Sequence, residues 1–580
     1  MENKRISEIF EEMSNIIGIE KTSTSNFESR AYKRAALTIG TLQQDISDIY
    51  KQGGIKALME LPGIGKGLAE KISEYLTTGH IKEYDELKKK YPIDFTSLLS
   101  IEGIGPKKAI ELYEKLGVTD IPTLKDALEK HKLKDLQGFG EKSESEIAKG
   151  VTLAESNKGR ILLSEGLPEA EKIISILKGS NLVKEAVIAG STRRMRETLG
   201  DLDILALSDN KTEVMDLFSK MADVTSIIVK GPTKTTVALN IGTTCDLRVI
   251  DPDSFGAALQ YFTGSRDHNI KVRTIAVRKG YKLNEYGLFG RSDQLISKLN
   301  EKDIYEKLGM SYIPPEMREN RGEIELAEKG QIPDLLELKD IKGDLHTHTK
   351  ETDGINTMEQ MADYAMRKGY EYIATTNHTK SLKVAHGMDD KQFEEYFSKV
   401  DELNDRLKGK LTILKGAEVD ILKDGSLDLL DKTLESMDCV VAAVHSSTNM
   451  TEEQMTSRIV KAIGSNQVNV LAHPTGRLIN EREPYPVNLP KVAEACADMR
   501  TMLEINASPQ RLDLNDTNIL LTSKYPVIYS VNTDAHSTIH MDFMRYGVGT
   551  ARRGWLTKER VANSLPLNKL REILKKQKNV

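Results

Sequence analysis

Apolar positions recur at helical spacing through the first 150 residues, in short periods broken by pairs of glycines. Three of these breaks repeat one another: LPGIGKGLAEKI from Leu61, IEGIGPKKAIEL from Ile101 and LQGFGEKSESEI from Leu136. Each is an apolar residue, Gly-x-Gly and a helical segment, which predicts tandem helical hairpins. From about 160 to 255 the pattern changes to short β-branched runs (EAVIAGS, DLDILAL, TSIIVKG, TTVALNI, TCDLRVI) alternating with helical stretches. A mixed segment follows to about Tyr312, and the polar IPPEMRENRGEIELAEKGQIPDLLELKD then predicts a linker or wrapped connector. Beyond Lys342 strands and helices alternate strictly to near the C-terminus, which predicts a parallel sheet or barrel.

With 580 residues, 29% of them charged and 39% in the broad hydrophobic set, the chain is long enough for several compact units. The formal net charge of -5 argues against a uniformly positive surface for nucleic acid. No apolar run nears the ~20 residues that cross a bilayer, and the N-terminal MENKRISEIFEEM is charged, so no membrane partner is expected. Cys245, Cys439 and Cys496 lie far apart with no CxxC spacing, which argues against a disulfide framework and makes a reducing cytoplasm the expectation.

The glycine pairs offset that acidity. In a helix-Gly-x-Gly-helix hairpin the glycines permit positive φ, and the N–H groups opening the second helix point at an anion. Three copies favour DNA phosphate as that anion over a plain turn, with Gly63, Gly65, Gly103, Gly105, Gly138 and Gly140 as contacts and Lys66, Lys71, Lys107 and Lys108 in support.

In GSTRRMRETLGDLDIL, Asp201 and Asp203 sit two apart on one strand and so share a face. Asp246, on a separate strand, can add a third carboxylate. Like charges this close need cations, and three carboxylates suit two Mg²⁺ ions of the kind used in phosphoryl or nucleotidyl transfer. Gly190 and Ser191 upstream offer an N–H and a hydroxyl to a phosphate tail that Arg194 can neutralise.

GSTRRMRETLGDLDIL, CDLRVI and YFTGSRDHN resemble family X DNA polymerases, the group of DNA polymerase beta, over about residues 5 to 312. The resemblance implies a helical lyase-type domain, then fingers, palm and thumb. It implies metal ligation by Asp201, Asp203 and Asp246, and triphosphate contacts by Gly190, Ser191, Arg194 and Arg160. Tyr261, Phe262 and Gly264 match the segment beside the sugar, and Asn269 and Arg273 the minor-groove contacts. Lys71 falls on the family's Schiff-base lysine, which implies deoxyribose phosphate removal; a phosphate-contacting lysine is the other reading. Gly67, Thr244 and Arg266 depart from the family pattern, none of them at a metal ligand.

Eight of the eleven histidines follow residue 340, and six end apolar runs: His346, His348, His378, His445, His473 and His536. Asp353, Glu418 and Asp534 accompany them. In a barrel of parallel strands these ends meet at one face, where mixed N/O donors favour Zn²⁺, Mn²⁺ or Fe²⁺ and hydrolysis of phosphoesters. This half resembles the polymerase and histidinol phosphatase (PHP) domain, which implies a three-metal site built from these nine residues. Asn377 replaces the aspartate that often precedes the fourth histidine, and His386 sits in a glycine-like turn position.

The expected architecture is an all-α helix-hairpin-helix region, an α+β nucleotidyltransferase palm with thumb, and a distorted seven-stranded (β/α) barrel. The boundaries are 1–85 lyase-type, 86–155 fingers-type, 156–255 palm, 256–313 thumb, 314–340 linker and 341–575 barrel. The expected function is gap filling in base-excision-type DNA repair on gapped or primer-template DNA with dNTPs, with a 3′–5′ exonuclease in the barrel and cutting at abasic sites as a further activity the barrel could carry. Mg²⁺ is expected in the palm and Mn²⁺ or Zn²⁺ in the barrel, and a monomer is the default. Three other readings stay open on the residues alone: a nuclease with a polymerase-like platform, a small-molecule phosphatase, and a DNA-binding scaffold.

Overall fold

The computed structural model describes residues 2–575 except 20–24, 41, 43–44, 100, 102, 135, 137–138, 157–158, 291, 293 and 297–299. It divides into two compact units, Met1–Lys158 with Arg477–Pro484, and Gly159–Gly476 with Tyr485–Val580. No helix among the described residues is long and apolar enough to cross a membrane.

The first unit is helical. One buried cluster gathers Phe10, Met13, Ile39 and Ile72, and a second gathers Phe95, Leu112, Leu124 and Phe139. The first two glycine repeats open helices α1 (Lys66–Thr78) and α2 (Pro106–Leu116), and the third opens α3 (Glu141–Ser156).

In the second unit the five short β-branched runs all form strands: β1 (Glu185–Ile188), β2 (Asp201–Leu207), β3 (Val224–Lys230), β4 (Lys234–Leu239) and β5 (Thr244–Ile250). They make one mixed sheet in the order β1-β2-β5-β4-β3, with β2 and β5 parallel and the other pairs antiparallel. Alternation decides what each face carries. Leu202 and Ile204 of β2 and Cys245, Leu247 and Val249 of β5 are buried, which leaves Asp201, Asp203 and Asp246 together on the other face.

After the sheet come α4 (Phe255–Thr263), α5 (Arg266–Arg278) and α6 (Glu301–Lys307). The polar stretch 314–340, expected as a linker, is packed instead. Arg318 and Glu323 are fully buried, as are Met317 and Leu336. Its polarity reflects internal ion pairing. Arg318 Nη1 donates to Glu301 Oε1 at 2.5 Å, Arg193 donates to both Glu301 oxygens at 2.9 and 2.8 Å, and Tyr312 adds a bond at 3.0 Å.

From Gly343 seven parallel strands follow in sequential order: β6 (Gly343–Thr347), β7 (Tyr372–Thr375), β8 (Thr412–Asp420), β9 (Cys439–Ala443), β10 (Val470–Leu471), β11 (Met502–Asn506) and β12 (Tyr529–Asn532). Most are buried along their whole length, as strands covered on both faces must be. A bridge from Thr347 to Ala535 brings the last strand back to the first, so the barrel nearly closes.

Burial alone would raise the Glu301 carboxyl, but Arg318 and Arg193 outweigh it and hold it at about 2. Its ordinary value is 4.5, so the stability it contributes is full above that pH and is lost as pH falls towards 2. We expect Arg318→Leu to destabilise this unit by about 3–5 kcal/mol, because Glu301 stays buried with one partner fewer. Urea unfolding of wild type and variant checks this; an unchanged midpoint would contradict it.

Candidate functional site

Register pairs Asp203 with Asp246 across the parallel β2–β5 edge, and Asp201 lies two residues before Asp203. Burial, then the charges of Asp201 and Asp246, push the Asp203 carboxyl up to about 7. This is a cluster short of positive charge. Asp246 is partly compensated from the neighbouring strand, by Lys234 Nζ at 2.8 Å and a Thr236 hydroxyl bond at 2.6 Å, with Arg248 at 3.5 Å. The three carboxylates share one face of the sheet.

Gly190 has φ +61° and begins the four-residue helix α7, Gly190–Arg193, introduced by the end of β1. A Cβ there would stand 2.1 Å from Asp203 Oδ2, so only glycine lets this turn pass the carboxylate. Ser191 follows on the same helix, and Arg194 ends it. Arg194 Nη1 donates to the Thr263 carbonyl at 2.5 Å and Nε to Glu319 at 3.1 Å. Arg160 donates to the Thr198 hydroxyl and carbonyl at 3.0 and 2.7 Å, beside the turn that leads into Asp201.

The segment expected beside the sugar ends α4. Tyr261 and Phe262 meet edge-to-face at 5.1 Å, and Arg248 lies over Phe262 at 4.5 Å. A Cβ on Gly264 would stand 3.1 Å from Arg194 Nη1, which brings this segment against the phosphate-contact candidate. Asn269 donates to the Tyr261 carbonyl at 2.7 Å and accepts from Gln260 at 2.8 Å. Arg273, one turn on, lies 6.0 Å over the Tyr261 ring.

In the helical unit Gly63 and Gly103 adopt φ +78° and +88°. Gly65 and Gly105 cap α1 and α2 with no side-chain hydrogen bond, which leaves the first-turn N–H groups without a capping acceptor. Lys107 is exposed, whereas Lys108 bonds the Gly103 carbonyl at 2.9 Å. The third copy differs in charge: Glu141 and Glu144 occupy the first turn after Gly140. Gly138 lies outside the described residues. Lys71 Nζ stands 3.0 Å from Glu83 and 5.8 Å above the Tyr32 ring.

Eight of the nine expected barrel ligands converge in three overlapping groups: His348, Asp353, His378 and His536; His346, His348, Glu418 and Asp534; and His378, Glu418 and His445. His473 is outside these groups, although its Nε2 lies 2.9 Å from Glu418. The donors fit metal ions because their polar atoms are buried without hydrogen bonds: His346 Nε2, both His348 nitrogens, His378 Nδ1, Asp353 Oδ1, Glu418 Oε2 and Asp534 Oδ1. Burying such atoms unpaired is costly unless a cation takes them. Electrostatics agrees. Burial would lower His378, but Glu418 and Asp353 push it up to about 10, and His445 rises to about 9 through Glu418 and Asp420. The carboxylates thus favour positive charge at His378 and His445, whereas burial and the neighbouring His536 and His378 push His348 down to about 4.

Four groups escaped the sequence reading. Glu504, fully buried on β11, lies 2.8 Å from His346 Nδ1 and accepts from the His473 N–H at 2.8 Å. Asp420 stands 3.1 Å from His445 Nδ1, and Lys234 and Thr236 meet Asp246. Glu504 did leave a signal, as the one charge inside the apolar run MLEIN; Asp420 shares a strand face with Glu418. Lys234 left none, because only strand pairing brings it to Asp246.

Family models match as a helix-hairpin-helix domain over residues 1–81, a helix-hairpin-helix tandem over 95–151, a DNA polymerase beta thumb over 258–319 and a PHP domain over 344–507. A DNA polymerase/3′-5′ exonuclease PolX of Bacillus subtilis is 35% identical over 99% of this chain and all of its own length. A probable phosphatase of Thermoanaerobacter sp. is 27% identical over 40% of this chain and 95% of its own. DNA polymerase lambda of Arabidopsis thaliana is 26% identical over 54% of this chain and 62% of its own. With a relative matched from end to end, and the thumb and PHP models matched one after the other along the chain, the chain belongs to the family X DNA polymerases that carry a C-terminal PHP domain.

Proposed function

We propose that this DNA polymerase and 3′–5′ exonuclease fills short gaps in damaged DNA, inserting dNTPs at the palm and trimming 3′ ends at the barrel. The observation that carries the reading is one chain, matched over its full length to a polymerase/exonuclease, that keeps both the palm carboxylates and the buried barrel cluster.

Asp201, Asp203 and Asp246 would hold Mg²⁺ in the palm, and the nine barrel residues would hold Mn²⁺ or Zn²⁺. Such ions, when bound, stabilise the charge on attacking and leaving phosphate oxygens. The chain's own residues do the positioning. Gly190 lets the Ser191 turn approach the carboxylates, Arg194 and Arg160 meet the triphosphate, and Tyr261 and Phe262 flank the sugar. Asn269 and Arg273 face the minor groove of the nascent pair, and the hairpin amides at Gly63–Gly65 and Gly103–Gly105 hold phosphates without base readout. The primer 3′-oxygen bonds the α-phosphorus as the bond to pyrophosphate breaks. At the barrel, water attacks the phosphorus of the 3′-terminal nucleotide, its bond to the preceding 3′-oxygen breaks and that oxygen takes a proton, which releases a nucleoside 5′-monophosphate and leaves a new 3′-hydroxyl. Glu504 accepts the His346 Nδ1 proton, which presents the bare Nε2 to the site.

Asp201→Ala with Asp203→Ala should cut primer extension by about 10²–10⁴-fold, the several kcal/mol attributed to ion-assisted charge stabilisation, and leave 3′ trimming intact. His346→Ala should do the reverse. A gapped, 5′-labelled duplex with dNTPs reads both in one gel, and loss of both activities in either folded variant would sink the two-site reading. Glu504→Gln should weaken metal retention by about 10–100-fold in a chelator competition, with no change in extension. For Lys71, borohydride with abasic DNA should trap a covalent adduct; its absence in wild type would leave Lys71 a phosphate contact.

A further inference from the structure

The guanidinium assigned to the nucleotide triphosphate is held from the exonuclease barrel. Arg194 is only 13% exposed, and its two bonds, Nη1 to Thr263 and Nε to Glu319, do not use Nη2. Glu319 is in turn held by Arg553, whose Nη1 lies 3.0 Å from the same Glu319 oxygen. Arg553 is the last residue of α8 (Met544–Arg553), a helix that belongs to the barrel half and follows its last strand.

The contact is a built one. Arg553 is 4% exposed as a side chain, and its Nη1 also donates to the Arg194 backbone carbonyl at 2.7 Å. Its Nη2 bonds Asp516 at 2.5 Å, and Asp516 receives Arg321 at 3.0 Å. Backbone packing follows the same line. A Cβ on Gly549, one turn before Arg553, would stand 2.6 Å from Met195 Cε, so the helix lies directly on the residue after Arg194. Arg553 therefore fixes Arg194 twice, through its carbonyl and through Glu319.

Charge decides what this arrangement favours. Arg194, Arg196, Arg321 and Arg553 face Glu319 and Asp516, a formal +2 from four cations and two anions. An anion approaching Nη2 thus meets net positive charge although a carboxylate sits beside it. A guanidinium oriented in advance also loses less freedom on binding phosphate than a free one.

We propose that Arg553 is a positioning residue of the polymerase site: acting through Glu319, it orients Arg194 for the incoming triphosphate, so that the barrel half is a working part of nucleotide binding. This rests on the assignment of Arg194 to the triphosphate.

The test is single-nucleotide insertion by the full chain on a gapped duplex with Mg²⁺ and a titration of dNTP. Arg553→Met should raise KM for dNTP about tenfold, as expected for one charge-assisted hydrogen bond, with kcat changed less than about threefold. Arg553→Lys should recover part of the loss, and 3′ trimming in the same preparations reports a folded barrel. Glu319→Gln should also raise KM, and it carries the test where Arg553→Met fails to fold. Arg194→Met should raise KM on the order of 100-fold; an unchanged KM there removes the assignment of Arg194 and the proposal with it. A raised KM in Arg194→Met with no change in Arg553→Met or Glu319→Gln overturns the proposal alone. So does a fall in KM in Glu319→Gln, which would make the carboxylate a competitor of the nucleotide.

Discussion

A buried carboxylate must be given a positive partner, and the way that partner is supplied organises the larger unit of this protein. Glu301 receives two arginines and a tyrosine hydroxyl, so its charge is settled within the fold and serves structure. Glu418 is buried as deeply but meets mainly imidazoles, which can give way to metal ions. Asp203 is an intermediate case: two carboxylates crowd it, and its acid is pushed up to about 7. Where the chain provides arginine the charge is finished, and where it provides carboxylate and imidazole alone the charge awaits an ion.

The two sites reach this state by different geometry. In the barrel, parallel strands deliver their ends to one rim, so residues far apart in sequence meet without any needing a long side chain. In the palm, a single parallel pair sets Asp203 against Asp246 in register, and the antiparallel neighbour adds Lys234 and Thr236. The Arg194–Glu319–Arg553 chain shows that the halves of this unit share charged groups, which suits two activities applied to one DNA end.

Acidity, which at first counted against nucleic acid, takes a different meaning once located. Asp201, Asp203, Asp246, Asp353, Glu418 and Asp534 are candidate ion ligands, and the hairpins offer uncapped backbone N–H groups that suit a phosphate. The net charge averages over groups whose electrostatic roles oppose one another.

The order of elements, the five palm strands and six of the barrel strands were legible because strand periodicity and glycine spacing are local properties of the chain; the strand Met502–Asn506 was not read, and the number seven came from the family resemblance. So were the barrel's candidate metal-binding residues, since a histidine ending an apolar run is visible without knowing its partners. Whether 314–340 was a free linker or a wrapped connector stayed open, because a run of charges looks solvated until its countercharges are known; Arg318 finds Glu301 only through folding. Glu504, Asp420 and Lys234 were missed for the same reason. By itself the sequence marked candidate residues for chemistry and, through strand alternation, which of them share a face. Only the tertiary structure decided which charges neutralise one another, because pairing depends on distances of a few ångströms between segments that the chain order leaves far apart.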